Sequence, residues 1–214
     1  MWLSFWSCKK GLECVKTCSD GTAYGECSNN KPNYCDKTGR LYILASNCGC
    51  PSLKYPDGEL CTDKTKLIEK LIFKYTNIER KNNGLNELVW EDKIAEIARS
   101  HSEDMAENGF FDHVNLRGED PTDRAKRMGF HRTKQLGGGW FTEGLAENIG
   151  GMTSGNIVGI GYVGSDPDSL AKAQVQSWMD SPGHRENILN PQYSHLGVGT
   201  AHDGFDYLST QNFW

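Results

Sequence analysis

The sequence predicts an α+β fold, a helix-rich domain closed by an antiparallel strand pair and preceded by a small cysteine-rich module. Three observations carry this. All eight cysteines fall between Cys8 and Cys61, in a stretch with little hydrophobic periodicity. Beyond residue 63, apolar residues recur at helical spacing in several segments. Residues 197–213 then read as two strands around an Asp203-Gly204 turn. Helices interleaved with antiparallel strands define the class. The change of character at Thr62-Asp63 sets a module over 1–62 and a main domain over 63–214.

Within the module the cysteines are Cys8, Cys14, Cys18, Cys27, Cys35, Cys48, Cys50 and Cys61, and residues 62–214 contain none. An even number at this density reads as a disulfide framework made in an oxidising compartment. A zinc module is the rival, because Cys14-x3-Cys18 and Cys48-x-Cys50 are short pairs. Against it, no histidine precedes His101 and the paired C-x2-C knuckles of zinc ribbons are missing. The pairing stays open, since eight cysteines allow on the order of a hundred connectivities. Asp20-Gly21, Thr38-Gly39 and Asp57-Gly58 mark turns. With few large apolar side chains, this stretch needs cross-links for stability. The cysteines imply export, although Met1-Trp-Leu-Ser-Phe-Trp-Ser7 has neither a basic n-region nor an apolar run of h-region length.

In the main domain, Leu67, Leu71, Ile72, Tyr75 and Ile78 form a helical stripe ended by Asn82-Asn83-Gly84. A second helix over 91–108 places Ile94, Ile97, Ala98, His101 and Met105 on one side and stops at Gly109. A third, from Asp120-Pro121 to Met128-Gly129, has a cap, a first-turn proline and a closing glycine. Residues 131–168 are glycine-rich and read as loop. Gly137-Gly138-Gly139 lacks the Lys-Ser/Thr of a phosphate loop and reads as a connection. A fourth helix over 169–180 buries Ala173, Val175 and Trp178. Ser181-Pro182-Gly183 opens a short fifth helix, with the Ser181 hydroxyl as its cap and His184 in its first turn. The helix dipole there disfavours an imidazolium, so His184 is expected neutral.

Composition excludes several partner classes. The net charge of −5 and the absence of a basic block argue against nucleic acid. No apolar run approaches the roughly 18 residues of a membrane helix, so no transmembrane segment is expected. The 37% hydrophobic content and mean hydropathy of −0.61 suit a globular chain.

Five separated segments combine into one pattern: His101-Ser-Glu-Asp-Met-Ala106; Phe110-Phe-Asp-His113; Ala146-Glu-Asn-Ile149; Trp178-Met-Asp-Ser-Pro-Gly-His184-Arg-Glu-Asn-Ile-Leu189; and Gly197-Val-Gly199 with Thr210-Gln-Asn-Phe213. In this order and spacing the chain closely resembles the CAP superfamily (SCP/TAPS domain) in its prokaryotic form, over about residues 66–214. The resemblance implies an α-β-α sandwich with an antiparallel central sheet and a wide cleft lined by two histidines and acidic residues. By motif these fall on His113, His184 and Glu147. Eukaryotic members carry a second acidic residue shortly after the tryptophan of the fourth helix, where this chain has Ser181.

Two neutral histidines, His113 and His184, can hold Zn²⁺ through ring nitrogens, with water completing the site. Glu147 is the candidate catalytic group, as metal ligand, orienter of an imidazole, or base on bound water. With Ser181 in place of an acidic partner, a metal should bind weakly. There is no G-x-S-x-G elbow, HExxH or free thiol in the main domain. His101 is expected to be buried and structural, His131, His195 and His202 to lie in loops or on the surface, and Tyr193, Gln211 and Trp214 to be core rather than groove. The leading expectation is a secreted or cell-surface protein. Its cleft would bind a small hydrophobic or peptide ligand or a cell-envelope component, with at most a weak Zn²⁺. The alternatives are a metal-assisted hydrolase using Glu147 with His113 and His184, and a structural surface-assembly protein.

Overall fold

The computed structural model describes residues 5–7, 15–51, 54–138 and 140–214, without side-chain environments at 5–7, 15, 134–137 and 140–142. The chain divides into two compact units, Met1–Leu67 and Ile68–Trp214. In the first, β1 (Phe5–Ser7) pairs with β2 (Val15–Thr17). A three-stranded sheet follows, β3 (Glu26–Cys27), β4 (Asn33–Cys35) and β5 (Leu41–Ile43), with a single helical turn, α1 (Ala45–Cys48). A hairpin of β6 (Lys54–Asp57) and β7 (Leu60–Asp63) turns at Asp57-Gly58. The structure settles the pairing that spacing left open: Cys18–Cys35, Cys27–Cys48 and Cys50–Cys61 are disulfides. Cys8 and Cys14 lie outside the described residues. Among the described residues of this unit, the buried apolar groups are Cys18, Cys35, Ala45 and Cys48, so sulfur does the work of a core. A bridge closing a loop of this size stabilises by about 3 kcal/mol.

The second unit is built on α2 (Lys64–Asn82), β8 (Val89–Trp90), α3 (Asp92–Asn108) and α4 (Pro121–Arg127). After these come β9 (Thr133–Gly137), β10 (Trp140–Glu143), β11 (Ala146–Met152), β12 (Gly155–Ile157) and β13 (Gly161–Val163). The chain ends with α5 (Pro167–Asp180), α6 (Pro182–Ile188), β14 (His195–His202) and β15 (Tyr207–Phe213). The central sheet runs β11-β15-β14-β8, antiparallel except for the two-residue β8, which lies parallel to β14.

Helices cover both faces, and glycines permit the approach. A Cβ on Gly197 or Gly199 of β14 would stand 2.1 Å from the Ala95 nitrogen or 2.0 Å from the Arg99 nitrogen, so α3 lies with its backbone against the strand. On the other face, a Cβ at Gly150 would meet the Gln174 amide of α5 at 2.1 Å. Trp178 of α5 is buried, and its Nε1 donates to the Ile149 carbonyl (2.9 Å). The result is the expected α-β-α sandwich.

Two of the helix ends read from sequence take their places. Gly109 ends α3 with φ 66°, in the left-handed region. Asp120 begins α4 with a reciprocal capping box to Asp123. Asp166 and Pro167 start α5 two residues before the expected Ser169.

Two expectations are corrected. The Leu67–Ile78 stripe is only part of the buried side of α2: Ile72 is buried and Leu71 and Tyr75 pack against the core, but the fully buried positions run Ile68, Glu69, Ile72, Thr76, Asn77 and Arg80, while Ile78 is exposed. Polar groups take these positions because each finds a buried partner. Arg99 binds Glu69 bidentately (2.8 and 2.7 Å), Asn77 pairs with both backbone groups of Leu88, and Arg80 reaches the carbonyls of Ile188 and Asn190. Residues 131–168 are not loop either, since they hold β9 to β13, including an edge strand of the central sheet. Gly137 and Gly138 belong to the β9–β10 hairpin, and Gly139 lies outside the described residues.

Candidate ligand-binding cleft

Glu147 points from β11 toward α3, opposite Asn212 of β15. Its side chain is 1% exposed and both carboxylate oxygens are engaged. Oε1 accepts from Nδ1 of His113 (2.9 Å). Oε2 accepts from Arg124 of α4 (2.5 Å) and from the Asn212 amide (3.0 Å). Burial pushes this carboxyl up, but the His113 hydrogen bond and the Arg124 charge outweigh it and hold Glu147 below the ordinary glutamate value. His113 sits on the loop after α3 with its side chain 47% exposed. Its bond to Glu147 raises it above the ordinary histidine value, against the pull of partial burial. Arg124 fixes the backbone as well, donating to the carbonyls of His113 (2.7 Å) and Glu119 (3.0 Å).

His101 lies beneath this group. It is fully buried in α3, its Nε2 is 3.0 Å from the Asp112 carbonyl and 3.8 Å from Glu147 Oε1, and its Nδ1 has no partner. Burial keeps it neutral by lowering its pKa, in line with the structural role expected for it.

His184 is in the first turn of α6, but the serine beside it acts differently from the expected cap. The Ser181 hydroxyl makes no bond to the helix amides and instead meets His184 Nδ1 at 2.9 Å. The pKa of His184 is lowered first by burial and then by the charge of nearby His113. The neutral state expected from the helix dipole therefore rests on desolvation. The helix is tied to the cleft strand by Asn148, whose amide donates to the His184 carbonyl (3.1 Å), and by Asn187, which donates to the Glu147 carbonyl (3.2 Å). Behind them a buried polar relay runs from Asn148 to Gln211 (3.1 Å) and from Gln211 to Thr76 (2.7 Å).

Of the residues singled out in sequence, His113 and Glu147 are in contact and His184 is electrostatically coupled to His113. Gln211 is fully buried, while Tyr193 and Trp214 border a 260 Å³ pocket with Phe213, so only Gln211 is simply core. His131 is an exposed loop residue and His202, at the end of β14, is exposed as expected, whereas His195 is a partly buried residue at the start of that strand. Arg124 and Asn212 complete the site and were not foreseen. Asn212 lay within a recognised segment, whereas a lone arginine on a seven-residue helix carried no signal of its own.

Chemically, this is a carboxylate-oriented imidazole. Glu147 is buried and accepts three hydrogen bonds, so it orients His113 and raises its basicity. The nitrogens left for a ligand are Nε2 of His113 and of His184. Among the described residues no three His, Cys, Asp or Glu side chains converge on a metal-binding geometry. Two ring nitrogens are fewer than the three protein ligands of a catalytic zinc site.

A model of the CAP family, described as the cysteine-rich secretory protein family, matches residues 73–213. The chain is 34% identical over 145 residues to the uncharacterized membrane protein YlbC of Bacillus subtilis strain 168, covering 68% of this chain and 34% of that one. It is 32% identical over 145 residues to the uncharacterized protein YkwD of the same organism, covering 68% and 46%. The chain thus spans between a third and a half of these relatives' length. Among solved structures it is similar to an extracellular SCP-domain protein of Bacillus anthracis strain Ames, with TM-score 0.52 and 32% identity over 74% of this chain and 46% of that one. It also shares the fold of an outer surface protein of Borrelia burgdorferi, with TM-score 0.51 and 19% identity over 70% and 93%.

Proposed function

Because the chain belongs to the CAP (cysteine-rich secretory protein) family, we propose that it works outside the cell or at its surface, where the cleft of His113, Glu147 and His184 binds a ligand. The disulfides among the described residues support that compartment. So does the similarity to an extracellular SCP-domain protein, and no helix among the described residues is long and apolar enough to cross a membrane. The ligand is a lipid, a peptide or a cell-envelope component, with a weak divalent metal at the two histidines.

One observation favours binding over turnover: Glu147, the candidate base, is 1% exposed and committed to His113, Arg124 and Asn212. A metal-assisted hydrolase would need that carboxylate free to take a proton from water. Calorimetric titration with Zn²⁺ at neutral pH should show one weak site, lost in His113→Ala and in His184→Ala. Unchanged affinity in both variants removes the shared site. Peptide hydrolysis that chelator abolishes and that His113→Ala lacks would replace the binding reading with an enzymatic one.

A further inference from the structure

We propose that a groove at the Gly151 end of β11 is a second binding site, for a peptide segment carrying a basic side chain beside a large apolar one. Side chains on β11 alternate, so Glu147, Ile149 and Gly151 share the α3 face. Glu147 serves the histidine cleft and Ile149 packs with Met105 and Leu208. Gly151 opens into a groove of about 430 Å³. Its floor is Met105, Phe110 and Leu208, and Phe111, 56% exposed, forms a wall. A Cβ at Gly151 would stand 3.2 Å from Leu208 Cδ2, so the glycine keeps this space open.

The rim carries Asp203 and Asp206, and among the described residues no lysine or arginine lines the groove. Asp203 Oδ1 accepts the backbone N–H groups of Phe205 and Asp206, each at 2.8 Å. These bonds hold the Asp203 carboxyl below the ordinary aspartate value. An apolar floor under two carboxylates complements an ammonium or guanidinium attached to an apolar neighbour. The same carboxylates repel the anionic headgroups of a lipid surface. Because the groove occupies a different stretch of β11, the inference stands or falls separately from the His113–His184 reading.

The test is an NMR titration of the full chain with the amidated tetrapeptide acetyl-Gly-Lys-Phe-Gly, against its Glu-for-Lys and Gly-for-Phe analogues and phosphatidylglycerol vesicles. The Lys-Phe peptide should shift the amides of Phe111, Gly151 and Asp206 saturably, and both analogues should bind more weakly. Asp206→Asn should weaken binding about two- to fivefold at low salt, the range of an exposed ion pair. Gly151→Val should abolish it. If Gly151→Val fails to fold, the Asp206→Asn and salt-dependence arms decide alone. Absence of shifts, equal binding of the Glu peptide, shifts centred on His113 and His184, or preferential binding to the anionic vesicles would each overturn the proposal.

Discussion

Replacing Arg124 with leucine removes the guanidinium that neutralises Glu147 while keeping much of the buried volume. In the native protein Arg124 and Glu147 have side chains 2% and 1% exposed. The pair is therefore desolvated, and removing one partner strands a charge. Such a break costs about 3–5 kcal/mol, more than the roughly 1–3 kcal/mol of an ordinary buried hydrogen-bonding group left unpaired. The pH dependence should weaken. In the native protein the depressed Glu147 carboxyl contributes stability above its unfolded value of 4.5, and this is lost as pH falls through the lower folded value. In Arg124→Leu, burial acts with less opposition and moves the folded value up from that of the native protein, so the deficit shrinks as acid protonates Glu147. Urea denaturation followed by tryptophan fluorescence, run as a double-mutant cycle with Glu147→Gln, isolates the pair from the carbonyl bonds that Arg124 also makes. The coupling should be about 2–3 kcal/mol at neutral pH. Additive effects, or a loss under about 1 kcal/mol, would refute the buried pair as the support of the cleft.

Three other outcomes follow from the same geometry. NMR titration should place His113 above the ordinary histidine value and show it falling in Glu147→Gln, because that bond is the main cause of its elevation. The stability His113 contributes should be complete below its unfolded value and lost as pH rises through its folded one, whereas His184 should remain neutral at pH values where a free histidine is already protonating. Gly199→Ala should destabilise by about 3 kcal/mol or more, measured by thermal or urea unfolding. Its Cβ would lie 2.0 Å from the Arg99 backbone, which cannot yield as a side chain would. Thiol reduction should abolish amide protection in residues 15–63 and leave that of 68–214 unchanged, since the second unit contains no cysteine.

Those outcomes depend on features legible to different degrees in the chain. α3 was readable in full, because Ile94, Ile97, Ala98, His101 and Met105 recur on one side and Gly109 supplies the stop. α2 was read only in part, with Ile72, Leu71 and Tyr75 at the core, because its buried face also includes Glu69, Thr76, Asn77 and Arg80, polar groups that are tolerated only where distant partners satisfy them. β11, Ala146-Glu-Asn-Ile-Gly-Gly-Met152, shows no alternation of apolar and polar residues, because Glu147, Asn148 and Gly150 are buried by a site and by helix approach rather than by hydrophobicity. The motif residues His113, Glu147 and His184 stood out in sequence, but only the partners chose the imidazole-orienting role among those open to Glu147 and replaced the capping role of Ser181.

The sequence by itself determined the fold class, the disulfide character of the cysteine-rich stretch and the helix ends at Gly109 and Asp120. These depend on periodicity, composition and turn chemistry that operate within a few residues. Only the tertiary structure decided the bridge pairing, the polar part of the buried face of α2 and the engagement of Glu147 by Arg124 and Asn212. Those contacts join residues far apart in the chain, and strand register together with desolvation chooses them.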